Sequence, residues 1–62
     1  MIKSIKVLYN TYGLTKEGEV IVSFIKTDLF QKLGELGWLF NSMELMAETP
    51  EFSTWEIEFT ED

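Results

Sequence analysis

The side chains able to do chemistry in this 62-residue chain are carboxylates, lysines, serines, threonines and tyrosines; histidine, cysteine and arginine are absent. Without histidine the usual proton shuttle and the commonest metal ligand are missing. Without cysteine there are no disulfides and no thiolate metal sites. A serine or threonine nucleophile needs a base within hydrogen-bond reach, and Ser4, Ser23, Ser42 and Ser53 lie in no G-x-S-x-G setting. Carboxylate pairs perform acid–base work in glycosidases, but they need a cleft that perturbs their pKa, and a chain this short has little room for one. No EF-hand spacing supports a divalent-cation site at Glu44, Glu56 and Glu58. The expectation is a non-catalytic protein with no cofactor and no metal.

The acids are patterned. Residues 1–32 hold all five lysines and three acids, whereas residues 33–62 hold eight acids and no base. A net charge of −6 without arginine speaks against direct nucleic-acid binding. It favours a protein partner that is basic wherever charge selects it. Glu44, Glu48, Glu56 and Glu58 form the candidate acidic face. Alternate strand residues stand about 6.6 Å apart, a spacing comparable to that of neighbouring phosphates, so such a row could imitate a nucleic-acid backbone. It could equally keep an apolar protein in solution and guard a sheet edge.

The elements that would carry these residues follow from periodicity. Residues 2–12 read as a strand, with Ile5, Val7 and Tyr9 alternating against Lys6, Leu8 and Asn10. Gly13 to Gly18 reads as a turn. Residues 19–26 read as a second strand, with Val20, Val22 and Phe24 on one face and Ile21 and Ile25 on the other. Thr27 and Asp28 are helix N-cap residues, and Asp28 with Gln31 has capping-box spacing. Leu29, Phe30, Leu33 and Leu36 then mark one helical face, which Gly37 ends. Gly34, inside the last turn, implies a close approach of the helix to the sheet. Residues 38–48 fit a strand with a bulge near Asn41–Ser42, and also the continuation of a helical stripe; two glycines three apart favour the strand. A turn at Thr49–Ser53 leads to the clearest strand, where Trp55, Ile57 and Phe59 alternate with Thr54, Glu56, Glu58 and Thr60. The expected architecture is a single α+β domain over residues 1–62, ββαββ, a four-stranded antiparallel sheet with one helix packed on one face.

The segment Leu33-Gly34-Glu35-Leu36-Gly37-Trp38 resembles the L-G-x-x-G-W motif of a family of small bacterial and phage domains. The likeness runs over residues 28–60. It departs after Trp38, where Leu39, Phe40 and Asn41 replace the family's acidic residue and aliphatic pair, and at the acidic C-terminal end. The resemblance implies a helix that ends on the Gly-Trp pair, a following hairpin, and a phage or mobile-element origin. It implies no activity.

One helix covers one sheet face, and 45% hydrophobic residues exceed what so small a core absorbs. Ile21, Ile25, Leu39, Met46 and Phe52, with Leu8 and Tyr12, are therefore the candidate apolar contacts for a partner or for a homodimer. No stretch has the length of a membrane span, and the lysines at positions 3 and 6 interrupt any signal-peptide core. The expected location is cytoplasmic, the host cytoplasm for a phage-encoded protein. The functional expectation is an inhibitor that binds a host or defence protein, with a self-associating assembly module and a DNA mimic as alternatives.

Overall fold

Alternation of Trp55, Ile57 and Phe59 with threonines and glutamates dictates a strand with one buried and one wet face, and that strand is the centre of the fold. A computed structural model describes residues 3–61. In chain order it contains β1 (Lys3–Tyr12), α1 (Glu17–Phe24), α2 (Asp28–Glu35), β2 (Leu39–Glu48) and β3 (Phe52–Glu61). The sheet order is β1-β3-β2, and β3 is antiparallel to both neighbours. The chain lays down one edge, crosses through two helices to the other edge, and returns through the middle.

The α+β class holds, but the four-stranded ββαββ arrangement with one helix does not. The sheet has three strands, and residues 19–26 belong mostly to a helix. The residues that look alternating there are read instead at helical spacing. Val20 and Phe24, four apart, are buried, and Ile21 beside them is half-buried. Val22, required on the same face by a strand, is 52% exposed. The Lys16 N–H donates to the Glu19 carboxylate (3.2 Å) and satisfies one N-terminal amide. Glu17 and Glu19 complement the positive end of the helix. Tertiary burial thus overrides the β-preference of Val-Ile-Val. The expected first hairpin is absent as well, since β1 pairs with β3 in unbroken register from Lys3–Glu61 to Tyr12–Phe52.

α2 starts as its sequence suggests, with one change of cap. The Phe30 N–H donates to Thr27 Oγ1 (3.2 Å), and that hydroxyl donates to the Phe24 carbonyl (2.7 Å). Thr27 therefore joins the end of α1 to the start of α2, and the Asp28–Gln31 capping box does not form. Of the expected apolar face, Leu33 is buried and Phe30 half-buried, whereas Leu29 and Leu36 are exposed. The helix ends on a Schellman motif. Gly37 has φ +92°, its N–H donates to the Gly34 carbonyl (3.1 Å), and the Trp38 N–H donates to the Leu33 carbonyl (2.9 Å). Trp38 packs on the core. Gly34 does not serve close packing: a Cβ placed there meets nothing within 4 Å.

The core lies between the helices and one face of the sheet. Phe24, Leu33, Ile57 and Phe59 are buried at its centre. Phe24 makes edge contacts with Tyr9 (5.0 Å between ring centroids) and Phe30 (5.8 Å). Tyr9 also shares a 2.6 Å hydrogen bond with Ser23, which fastens α1 over β1. The molecule is extended. Its radius of gyration is 12.0 Å, against about 10.5 Å for a compact domain of this length. It exposes 4615 Å², against about 4,100 Å² for a compact monomer of its mass.

Candidate interaction surfaces

Two of the four serines are committed to the fold. Ser53 is fully buried and its hydroxyl donates to the Gly13 carbonyl (3.0 Å), while Ser23 is paired with Tyr9. Among the described residues, no three acidic side chains converge as metal ligands.

The four glutamates of the expected acidic face divide. Glu56 and Glu58 stand on the helix-free face of β3, and Glu44 lies directly opposite Glu56 on β2. Glu48 pairs with Ser53 and belongs to the row that faces the helices. The remaining three are not a bare row of charge. Lys6 Nζ lies 3.5 Å from Glu56 Oε1, and the Asn41 side-chain amide donates to Glu58. The directly opposed Glu44 and Glu56 repel one another, because cross-strand neighbours stand only ~5 Å apart.

The candidate apolar residues also fall into separate places. Leu39, opposite Thr60, and Phe52, opposite Tyr12, lie at the two ends of the helix-free face. Tyr12 is 95% exposed and, with Phe52, Asn10 and Thr11, borders a concavity of about 250 Å³. Met46 occupies a second bulge of β2, between Leu45 and Ala47. Ile21 and Ile25 lie elsewhere, on the helix side, along a groove of about 170 Å³.

The groove follows from where the helices sit. Contacts of Tyr9 with Phe24 and Ser23, and of Phe24 with Phe59, draw the helical layer over β1 and β3. The bulge at Asn41 puts Phe40, Met43 and Leu45 opposite Phe59, Ile57 and Trp55. Those three side chains of β2 therefore face the helical layer, which does not reach across them. Phe40 remains 43% exposed and Leu45 40%. Phe24, Phe30, Phe40, Met43 and Ile57 complete the lining with Ile21 and Ile25, and every lining side chain is apolar. Sequence reasoning selected Ile21 and Ile25 and missed Phe40 and Met43. The signal was available: a bulge at Asn41–Ser42 is what brings Phe40 and Met43 to one face.

Among the described residues, no helix is long and apolar enough to cross a membrane. No protein-family model, no curated protein sequence and no solved structure matches the chain.

Proposed function

We propose that the chain is a non-catalytic protein-interaction module that docks a protein partner on the apolar groove between α1 and β2. The observation that carries this reading is a continuous, uncharged lining, exposed at Ile25 and Phe40, in a chain of net charge −6. Burying apolar surface of this kind drives association at roughly 25 cal/mol per Å² before the costs of binding. Acting by occlusion, such a module inhibits its partner. Mimicry of a phosphate backbone draws less support, because Lys6 stands within the acidic row and Glu48 lies outside it.

Quantitative capture of bound protein from a host lysate tests the reading with two variants. Ile25→Glu places a charge on the groove rim and should reduce recovery of the partner at least about tenfold, the equivalent of 1.4 kcal/mol. Glu56→Gln with Glu58→Gln should leave recovery unchanged, and added salt should weaken the complex little. The opposite pattern, loss in the glutamine variant with strong salt dependence, overturns groove docking in favour of the acidic face.

A further inference from the structure

We infer that the free edge of β1 pairs with the same edge of a second copy, antiparallel about a two-fold axis at Leu8, which joins two three-stranded sheets into one of six strands; the inference does not rest on the groove. The backbone shows which groups that edge offers. The Gly13 N–H donates to the Glu51 carbonyl (2.7 Å) in continuation of the β1–β3 register, and the Thr49 N–H donates to the Phe52 carbonyl (2.8 Å) on the other side of β3. Successive residues of a strand turn their N–H and C=O groups to opposite sides. Odd-numbered residues of β1 and β3 therefore bond one another, and Ser4, Lys6, Leu8, Asn10 and Tyr12 turn their N–H and C=O groups outward. Among the described residues, no strand and no backbone group pairs with that side of β1. The two sheet edges also differ in protection. Register shifts interrupt β2 twice, which discourages strand addition, whereas β1 keeps an unbroken register over ten residues.

The edge matches itself in register and in side chains. The outward residues are centred on Leu8, so a two-fold axis there sets Leu8 opposite Leu8, Lys6 opposite Asn10 and Ser4 opposite Tyr12 of the second copy, an isologous contact. Each such pair closes two backbone hydrogen bonds, about ten in all. A slip of two residues leaves outward groups unbonded, and a slip of one turns the apolar side chains to the wrong face. On the helix side the same register sets Val7 opposite Tyr9, a β-branched–aromatic pair of the kind that stabilises sheets. Ile5, Val7 and Tyr9 are only half-buried in the single chain, and the pairing continues their row into the second copy. On the helix-free face it covers Leu8, 67% exposed, and gives Tyr12 a neighbour.

Charge permits the pairing despite a net −6 per chain. β1 contains Lys3 and Lys6 and no acid. The helices and their flanks set Lys16, Lys26 and Lys32 against Glu17, Glu19, Asp28 and Glu35, which leaves one negative charge; the other acids run from Glu44 onward. The two copies of β3, with Glu56 and Glu58, stand three strand spacings apart, about 14 Å, beyond the screening length of about 8 Å. A lysine on an edge strand guards it against addition where it meets another cation. Here Lys6 lies 3.5 Å from Glu56 and faces Asn10, and its own copy is four residues along, about 13 Å away. The groove between α1 and β2 lies toward the opposite edge of the sheet, so the dimer presents two grooves, and a partner with two docking segments gains avidity from it.

Sedimentation equilibrium of the full chain from about 1 to 200 µM, with cysteine cross-linking, tests the inference. Wild type should approach twice the 7.2 kDa chain mass. Leu8→Pro removes the outward N–H at the axis and spares the bonds to β3, a place where an edge strand tolerates proline. It should weaken the dimer at least about tenfold with circular dichroism unchanged. Ile25→Glu, in the groove, should leave the mass unchanged. The chain has no cysteine, so Leu8→Cys and Tyr12→Cys each carry a single thiol and read the register without relying on the fold of Leu8→Pro. Across the axis the Cα atoms at position 8 stand about 5.5 Å apart, within disulfide reach, and those at position 12 about 26 Å apart. Mild oxidation should therefore link Leu8→Cys at least about tenfold faster than Tyr12→Cys. A monomeric wild type at the highest concentration overturns the inference. So does a dimer that folded Leu8→Pro leaves intact, one that Ile25→Glu breaks, or one in which Tyr12→Cys links as fast as Leu8→Cys.

Discussion

Gly34 and Gly37, three residues apart in one motif, should respond with opposite sign to the same substitution. Gly34 lies inside α2, is exposed, and has open space where a Cβ would go. Alanine there narrows the unfolded ensemble and strains nothing, so Gly34→Ala should stabilise the chain by about 0.4–1 kcal/mol. Gly37 has φ +92° and ends the helix through its N–H bond to Gly34. A Cβ in that left-handed conformation costs about 1–2 kcal/mol. For a domain of this size each kcal/mol moves Tm by about 4–8 °C. Gly34→Ala should therefore raise Tm by about 2–8 °C and Gly37→Ala lower it by about 4–16 °C. The assay is thermal unfolding followed by circular dichroism, at one protein concentration low enough that association does not contribute. A lower Tm for Gly34→Ala would mean that the helix is packed at that position, and an unchanged Tm for Gly37→Ala would mean that the chain does not reverse there through a left-handed residue. Either result refutes the account of this segment.

Thr27→Ala removes the hydroxyl that links α1 to α2 and should cost about 1 kcal/mol, read by urea denaturation. Tyr9→Phe removes the bond to Ser23 and should cost about 0.5–1.5 kcal/mol with the aromatic packing retained. Glu44→Lys replaces a repulsive cross-strand pair by an attractive one opposite Glu56 and should raise stability by about 0.2–1 kcal/mol, a gain that added salt diminishes. Ile57→Ala opens a cavity under α1 and should cost about 2–5 kcal/mol. That is comparable to the whole stability of about 3–5 kcal/mol that a core this small supplies, so cooperative thermal unfolding should be lost.

What the sequence makes legible is whatever depends on short-range pattern. β3 shows its strict alternation, α2 its cap residue and its terminating glycine, and β2 its bulge at Asn41, because each is specified within a few residues. The segment 19–26 is not legible in this way. Val20-Ile21-Val22 satisfies period two as well as helical spacing, and what decides is Phe24 meeting Tyr9 and Phe59, residues distant along the chain. That single inversion hides the sheet order. With α1 read as a strand, β1 acquires a false hairpin partner and β3 loses its central place. The groove is hidden for the same reason. Its walls come from α1 and α2 and its floor from β2 and β3, so it is invisible until the helical layer is known to sit over β1 and β3. Gly34 is a different case. Its cost within a helix suggests a packing role, yet the space beside it is open, and the structure offers no reason for glycine at that position.

Exposure of side-chain methyl groups to a soluble paramagnetic probe, compared between the free chain and the chain bound to its captured protein partner, measures the central claim most directly. The account predicts that the methyls of Ile21, Ile25 and Met43 lose their exposure on association, while those of Leu8 and Leu39 on the helix-free face keep theirs. Protection of Leu8 and Leu39 with Ile25 and Met43 still accessible would contradict it.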